Sequence, residues 1–290
     1  MGKYSIKELE QLSGIKAHTI RIWEKRHKII VPSRTTTNIR TYSDDDLKKI
    51  INVSLLNNYG IKISKIATMS AADMNDRILQ ITEKKNEAFV HIDQLIVAMM
   101  DLEEEGFEKI LGNLTLRYGF EKTVTEIIYP FLERIGILWQ TQNITPAHEH
   151  FISNLIRQKI IVAIDVLPLP PKTSKKAVLF LPEHEMHEIG LLFYHYLTRK
   201  AGLRTYYLGQ NVPHSDLISV FNTHQPDILI ASLTSTPLIP LDIYIKKLAK
   251  DFPTASILIS GMQLVGFKGA PIKNVQIFAG ALDLLKYLEI

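Results

Sequence analysis

The sequence contains no cysteine among its 290 residues. Disulfide bonds, thiolate zinc sites and cysteine nucleophiles are therefore excluded, and any metal must be held by histidine or carboxylate or arrive inside a cofactor. No run of about 18 apolar residues occurs, and no apolar stretch precedes a small-residue cleavage site near the N-terminus. We therefore expect a cytoplasmic protein without a membrane partner, long enough for two or three compact units.

The net charge of +4 is modest, but it is unevenly distributed. Residues 1–70 carry 13 Lys and Arg against 6 Asp and Glu, a net charge of +7, so the remaining residues sum to −3. A basic block on a slightly acidic chain favours contact with nucleic-acid phosphates, because counterion release supplies affinity for DNA. A solvated charged surface is the alternative.

The pattern within this block favours DNA. Residues 4–26, YSIKELEQLSGIKAHTIRIWEKR, predict a short amphipathic helix, a turn at Ser13-Gly14 and a second helix with Ile20 and Trp23 facing inward. This is the order of a helix-turn-helix, whose second helix enters the major groove. A β-branched, turn-rich segment follows and predicts a wing, and Ser43 is a candidate N-cap for the next helix.

Helix-turn-helix, wing, the sequence Tyr-Ser-Asp-Asp-Asp-Leu and a further helical pair together resemble the MerR family over residues 3 to about 70. The resemblance implies binding to double-stranded operator DNA as a dimer. It also implies that the following residues contact DNA: Lys16, His18, Thr19, Arg21, Arg34, Arg40 and Tyr42. A generic helix pair in another role is the alternative.

Two further segments follow. Residues 75 to about 165 carry apolar residues at helical spacing and predict a four-helix bundle. The proline-rich segment 167–175 predicts a linker. Beyond it, short apolar runs such as KAVLFL and DILIASL alternate with helical segments, which predicts a doubly wound, Rossmann-like parallel sheet. We therefore predict a multidomain α and α/β fold with domains at 1–72, 73–166 and 176–290, joined across the linker.

The segment EHEMHEIG, residues 183–190, lies between the first strand and first helix of this sheet, where such folds bind ligands. With Ser232 in ASLTSTP and Gly261 in ISGMQ, it resembles the cobalamin-binding domain of methionine synthase and its relatives. A surface histidine is the alternative for the first motif alone.

The resemblance implies that His187 ligates cobalt and that Glu185 orients its imidazole through the second ring nitrogen. It further implies that Gly190 makes space for the nucleotide tail, that Ser232 and Thr234 hydrogen-bond its base, and that Gly261 lets the base pass. Met262 stands where the family has a second glycine and could narrow the slot.

Within the predicted bundle, Trp139 is followed after nine residues by Glu149-His150, which resembles the segment that caps cobalamin in CarH and LitR type MerR photoreceptors. The resemblance implies that Trp139 contacts the adenosyl group on the upper face of the cofactor. It also implies that Glu149 and His150 line the same pocket. Gln140 stands where well-known members have a histidine that can take the vacated upper position, and an amide is a poor cobalt ligand.

We therefore expect a non-enzymatic, light-responsive repressor that binds adenosylcobalamin, with methylcobalamin as the alternative, and assembles with itself as a dimer or tetramer. Two rival interpretations stay open. One is a corrinoid module of a methyltransferase or mutase, which would need a second polypeptide. The other is a cofactor-independent MerR regulator whose sheet domain serves oligomerisation or protein binding.

Overall fold

The computed structural model describes residues 4–35, 38–58, 60–74, 77–78, 88–140 and 144–288, and for Gln11, Asn58, Ala88, Phe89 and residues 137–140 it describes the backbone alone. The chain divides into two compact units, Met1–Ile152 and Ser153–Ile290. Each unit has its own core. No helix in the described part of the chain is long and apolar enough to cross a membrane.

The first unit begins with two short helices, α1 (Ile6–Ser13) and α2 (Ala17–His27). Ser5 caps α1 by a reciprocal exchange with Glu8, which satisfies two backbone N–H groups at the helix start. Gly14 ends α1 with a φ of 71°, a left-handed conformation that glycine adopts without strain. Ile20 and Trp23 are buried, which confirms the predicted inner face of α2.

A two-stranded antiparallel hairpin follows, β1 (Ser33–Arg34) and β2 (Arg40–Thr41), and forms the predicted wing. The backbones of Tyr4 and Tyr42 exchange hydrogen bonds of 2.9 Å, which ties the chain start to the end of the wing. Helices α3 (Asp44–Asn58) and α4 (Ile63–Ile66) come next. Ser43 and Asp46 cap α3 reciprocally, as the sequence predicts.

Four further helices follow within the described residues: α5 (Ala88–Met100), α6 (Glu104–Tyr118), α7 (Phe120–Thr123) and α8 (Tyr129–Gln140). Val124–Ile128 form one wider π-helical turn that joins α7 to α8. Turns of this kind occur often at functional sites. The helix α9 (Pro146–Asp165) follows, and the division between the two units falls within it.

The second unit is built on a five-stranded parallel sheet in the order β4-β3-β5-β6-β7. Its strands are β3 (Lys176–Pro182), β4 (Arg204–Val212), β5 (Ile228–Ser232), β6 (Ser256–Ser260) and β7 (Val275–Ile277). Its helices are α10 (Ile189–Lys200), α11 (His214–His224), α12 (Leu241–Asp251) and α13 (Ala281–Leu288). The predicted doubly wound sheet is thus confirmed. The strand order reverses between β3 and β5, and ligands bind at such a switch point.

Candidate functional site

The loop that follows β3 carries the EHEMHEIG residues to this switch point. The carboxylate of Glu185 is buried, with 4% of its side chain exposed, whereas 64% of the His187 side chain is exposed. Nδ1 of His187 lies 2.7 Å from Oε1 of Glu185. Because an ionised carboxylate only accepts, the imidazole donates from Nδ1 in this pair. Nε2 is then the ring nitrogen suited to binding a metal.

The carboxylate of Glu185 accepts hydrogen bonds from two loops, one after β3 and one after β5. Its Oε1 accepts from the backbone N–H groups of Met186 and His187, both at 3.0 Å. Its Oε2 accepts from those of Thr234 at 2.7 Å and Ser235 at 2.6 Å, in the loop after β5. Burial acts to raise the pKa of Glu185, but the hydrogen bond from His187 and the backbone N–H donors outweigh it and lower the pKa to about 2. The carboxylate is therefore ionised.

Ser235 is a site residue that the sequence analysis missed. Its hydroxyl donates to Oε1 of Glu185 and lies 3.2 Å from Nδ1 of His187. The only signal in the sequence is the run of Ser and Thr after β5, TSTP at residues 234–237, which offers several donors without indicating which of them turns toward Glu185.

Two residues near the C-terminal end of β4 form hydrogen bonds with the loop that carries His187. Asn211 accepts the backbone N–H of His184 through its side chain at 2.9 Å, and Gln210 donates to the carbonyl of Met186 at 2.7 Å. His184 has a φ of 68°, a left-handed conformation that costs energy for a residue with a side chain. The loop that carries His187 is thus fixed in place by β4 and β5 together.

Gly190 and Gly261 differ in their surroundings. A Cβ added at Gly190 would meet open space. A Cβ at Gly261, which has a φ of 120°, would lie 2.2 Å from the carbonyl oxygen of Leu233. The backbone of Leu233 therefore accounts for this glycine within the sheet domain itself. Ser232 is buried at the end of β5, and Met262 is exposed.

The donor set fits a metal held inside a macrocycle. Within the described residues, no group of three or more His, Asp or Glu side chains could hold a bare metal ion. One exposed imidazole would suffice for a corrin, because the macrocycle brings its own nitrogen ligands for the metal. Apolar side chains exposed in the loops that follow β3, β5 and β6 surround this edge and suit a large, partly apolar ring: Met186, Leu238, Met262 and Val265.

The residues expected above the cofactor belong to the first unit. Trp139 lies in the last turn of α8, but its side chain and that of Gln140 lie outside the described residues. Nδ1 of His150 lies 2.9 Å from Oε2 of Glu149 near the start of α9, and 71% of the His150 side chain is exposed. Their contact with a cofactor stays a prediction.

The helix-turn-helix presents its charges on α2 and the wing. His18 and Arg21 are exposed, and Thr19 is half-buried. Lys16 forms an exposed ion pair with Glu10 at 3.1 Å. Arg34 is exposed in the wing and donates to the side chain of Asn38 at 2.7 Å.

Tyr42, for which a DNA contact stays a prediction, is buried, with 1% of its surface exposed. Its hydroxyl donates to Oε2 of Glu24 at 3.2 Å, and Arg40 pairs with Oε1 of Glu24 at 3.1 Å. Burial, and then the charge of Glu24, raises the pKa of Tyr42. Tyr42 therefore fixes the carboxylate that positions Arg40.

Family models match the helix-turn-helix and the helical segment that follows it. Residues 4–73 match the MerR HTH family regulatory protein model, and residues 91–163 match a B12 binding domain model. The HTH-type transcriptional repressor CarH of Myxococcus xanthus is 26% identical over 232 residues, which cover 78% of this chain and 77% of CarH. The repressor CarA of the same organism is 25% identical over 229 residues, 78% of this chain and 75% of CarA.

Among solved structures, the monomethylamine corrinoid protein of Methanosarcina barkeri has a TM-score of 0.55 at 15% identity, over 69% of this chain and 97% of that chain. This likeness shows a shared fold. The chain thus joins a MerR-type helix-turn-helix to a B12-binding domain and is homologous to the CarH and CarA transcriptional repressors.

Proposed function

We propose that this protein is a light-responsive transcriptional repressor that binds operator DNA as an oligomer controlled by adenosylcobalamin. The observation that carries the proposal is the pair of Glu185 and His187, in which a buried carboxylate holds an exposed imidazole by Nδ1 at the ligand-binding edge of the sheet. Homology to CarH and CarA supports the regulatory role.

His187 would bind cobalt through Nε2, and Glu185 would keep the ring oriented and Nδ1 protonated. Trp139, Glu149 and His150 would line the upper side. Gly190, Ser232, Thr234 and Gly261 would receive the nucleotide tail. When bound, adenosylcobalamin supplies a cobalt–carbon bond that visible light cleaves.

Trp139 and the Glu149-His150 pair would lose their upper contact once that bond is broken. Without these contacts the helical segment would no longer hold the arrangement in which protomers associate, so the oligomer would dissociate and DNA would be released. In thermodynamic terms the cofactor biases a two-state arrangement, and light removes the bias. The helix-turn-helix and wing would contact DNA through the following residues: Lys16, His18, Thr19, Arg21, Arg34 and Arg40.

The first experiment purifies the protein in the dark with added adenosylcobalamin and looks for a red bound fraction. We expect binding in the wild type and a changed cofactor spectrum in His187→Ala. An unchanged spectrum in this variant would remove His187 as the ligand. Absence of any bound corrinoid in the wild type would favour the cofactor-independent regulator.

The second experiment measures DNA affinity and oligomer mass in the dark and after green illumination. The probe is a duplex that the protein itself selects from a random-sequence pool. We expect light to lower both affinity and mass. Equal binding in dark and light, with the cofactor bound, would refute the light response while leaving the corrinoid site in place.

A further inference from the structure

The two faces of the sheet differ at the ends of β5 and β6. Leu229 and Ala231 of β5, with Ile257 and Ile259 of β6, belong to the core that α11 and α12 cover. Because side chains alternate along a strand, Ser232 and Ser260 face the other side. They are register partners on adjacent strands, so the two hydroxyls lie side by side.

Tyr194 of α10 contacts one of these two serines, Ser260. It is buried, with 6% of its surface exposed, and its hydroxyl lies 3.2 Å from Oγ of Ser260. Its ring meets Phe278, which follows β7, edge to face at a centroid distance of 5.1 Å. The tyrosine therefore has the two contacts that an aromatic base would need here, an aromatic neighbour and a hydroxyl partner.

Under the proposed function, Tyr194 would lie between Gly190 and the serines. It follows Gly190 by four residues on the same helix, so the two positions share one helix face. The space at Gly190 is open, whereas the space one turn further along is filled by the tyrosine ring. A nucleotide tail entering beside Gly190 and reaching Ser232 would meet Tyr194 before it reached the end of the slot.

We propose that Tyr194 occupies the inner end of the nucleotide-tail slot in the cofactor-free protein and sets how strongly this chain discriminates between corrinoids with and without a lower nucleotide tail. The inference rests on the proposed cobalamin function. Tail insertion must move the buried ring and break its hydrogen bond with Ser260, whereas a corrinoid without a nucleotide tail binds at His187 without that cost. Tyr194 is thus a specificity-determining residue.

The test titrates cofactor-free protein in the dark with adenosylcobalamin and with adenosylcobinamide, which shares the corrin and the upper group but has no nucleotide tail. The measured quantity is the ratio of the two dissociation constants, cobalamin over cobinamide. We expect Tyr194→Ala to lower this ratio about tenfold or more, since each tenfold change corresponds to about 1.4 kcal/mol. An unchanged or higher ratio would overturn the proposal.

Tyr194→Phe keeps the ring and removes only the bond to Ser260, so a smaller decrease in the ratio is expected. This variant decides the question if Tyr194→Ala fails to fold, and an unchanged ratio then contradicts the inference. The matched control is Tyr196→Ala, which removes a second buried tyrosine of α10 that stacks on Phe193 at 5.9 Å. Its ratio should equal that of the wild type, because Tyr196 is two residues from Tyr194 and therefore lies on a different face of the same helix. An equal decrease in this control would mean that general loosening of α10 causes the effect.

Failure of the inference and failure of the proposed function give different results. If the wild type binds neither corrinoid, the cofactor function fails and the inference falls with it. If the wild type and the Tyr194 variants bind both corrinoids with the same ratio, only the role of Tyr194 is refuted.

Discussion

Glu185 holds His187 by its Nδ1 at 2.7 Å, and the same carboxylate binds backbone N–H groups on both sides of the strand-order reversal. One buried charge therefore does two things. It orients an exposed imidazole, and it joins the loop after β3 to the loop after β5. Replacing Glu185 should therefore affect both the stability of the sheet domain and the orientation of the His187 imidazole.

We expect Glu185→Gln to destabilise the cofactor-free protein by about 3 kcal/mol at pH 7, because the pKa of this carboxyl falls from 4.5 to about 2 on folding. The folded-state pKa is lowered, so this contribution is present above about pH 4.5 and is lost as the pH falls toward 2. The difference in the free energy of unfolding between wild type and variant should therefore become smaller over that pH range. Urea unfolding at pH 7 and pH 3 measures it.

Glu183→Gln is the control for this prediction, because Glu183 belongs to the same loop and is exposed. It should change the free energy of unfolding by less than about 0.5 kcal/mol. If Glu185→Gln cost the same at both pH values, the charge of Glu185 would not be the source of the stabilisation.

Gly261→Ala should destabilise the sheet domain by at least about 3 kcal/mol, because the new Cβ would meet the carbonyl of Leu233 at 2.2 Å and the residue keeps a φ of 120°. Thermal unfolding followed by circular dichroism measures the loss. A variant as stable as the wild type would mean that the Leu233 backbone moves away freely.

Gly190→Ala should behave in the opposite way. The added Cβ meets open space inside α10, so stability should stay equal or rise by up to about 1 kcal/mol. Under the proposed function the same methyl group narrows the tail entrance, so the affinity for adenosylcobalamin should fall. Melting curves and calorimetric titration separate the two effects, and unchanged affinity would count against a role for Gly190 at the tail.

Arg21→Ala should weaken DNA binding by about 1 to 3 kcal/mol if Arg21 reads a base, and it should lower the salt dependence by about one unit if it contacts a phosphate. Arg21 is exposed on α2. The matched control is Lys109→Ala, which removes one exposed positive charge from α6. Fluorescence anisotropy with the selected duplex measures the DNA affinity of each variant. An equal loss of affinity in Arg21→Ala and Lys109→Ala would indicate a nonspecific effect of net charge.

Much of this architecture follows from local pattern. Alternation of short apolar runs with helical segments indicates the parallel sheet, and EHEMHEIG lies at the strand end that such a sheet assigns to ligands. The partners of Glu185 are different, because the N–H groups of Thr234 and Ser235 approach it from about 50 residues away and carry no side-chain signature. The hydrogen bond of Tyr42 to Glu24 is likewise not indicated by the sequence, because a tyrosine beside arginines suits either a phosphate contact or a buried position.

Arg134 of α8 offers a test of how the DNA-binding helices are held within the first unit. Its guanidinium pairs with Asp93 of α5 and donates to the backbone carbonyl of Leu12 in α1. Burial acts to raise the pKa of Asp93, and the charge and hydrogen bond of Arg134 oppose it only in part, so the net shift is upward. The arginine thus joins the helix that carries Trp139 to the helix-turn-helix.

We expect Arg134→Ala to cost about 2 to 3 kcal/mol of stability, because it leaves the half-buried carboxylate of Asp93 and a carbonyl of α1 without this donor. Lys122→Ala, which removes an exposed i,i+4 pair with Glu126, should cost less than about 0.5 kcal/mol. If the link also transmits the cofactor state, Arg134→Ala with bound adenosylcobalamin should show a smaller difference in DNA affinity between dark and light than Lys122→Ala. A full light response in a destabilised Arg134→Ala would assign to Arg134 a structural role alone.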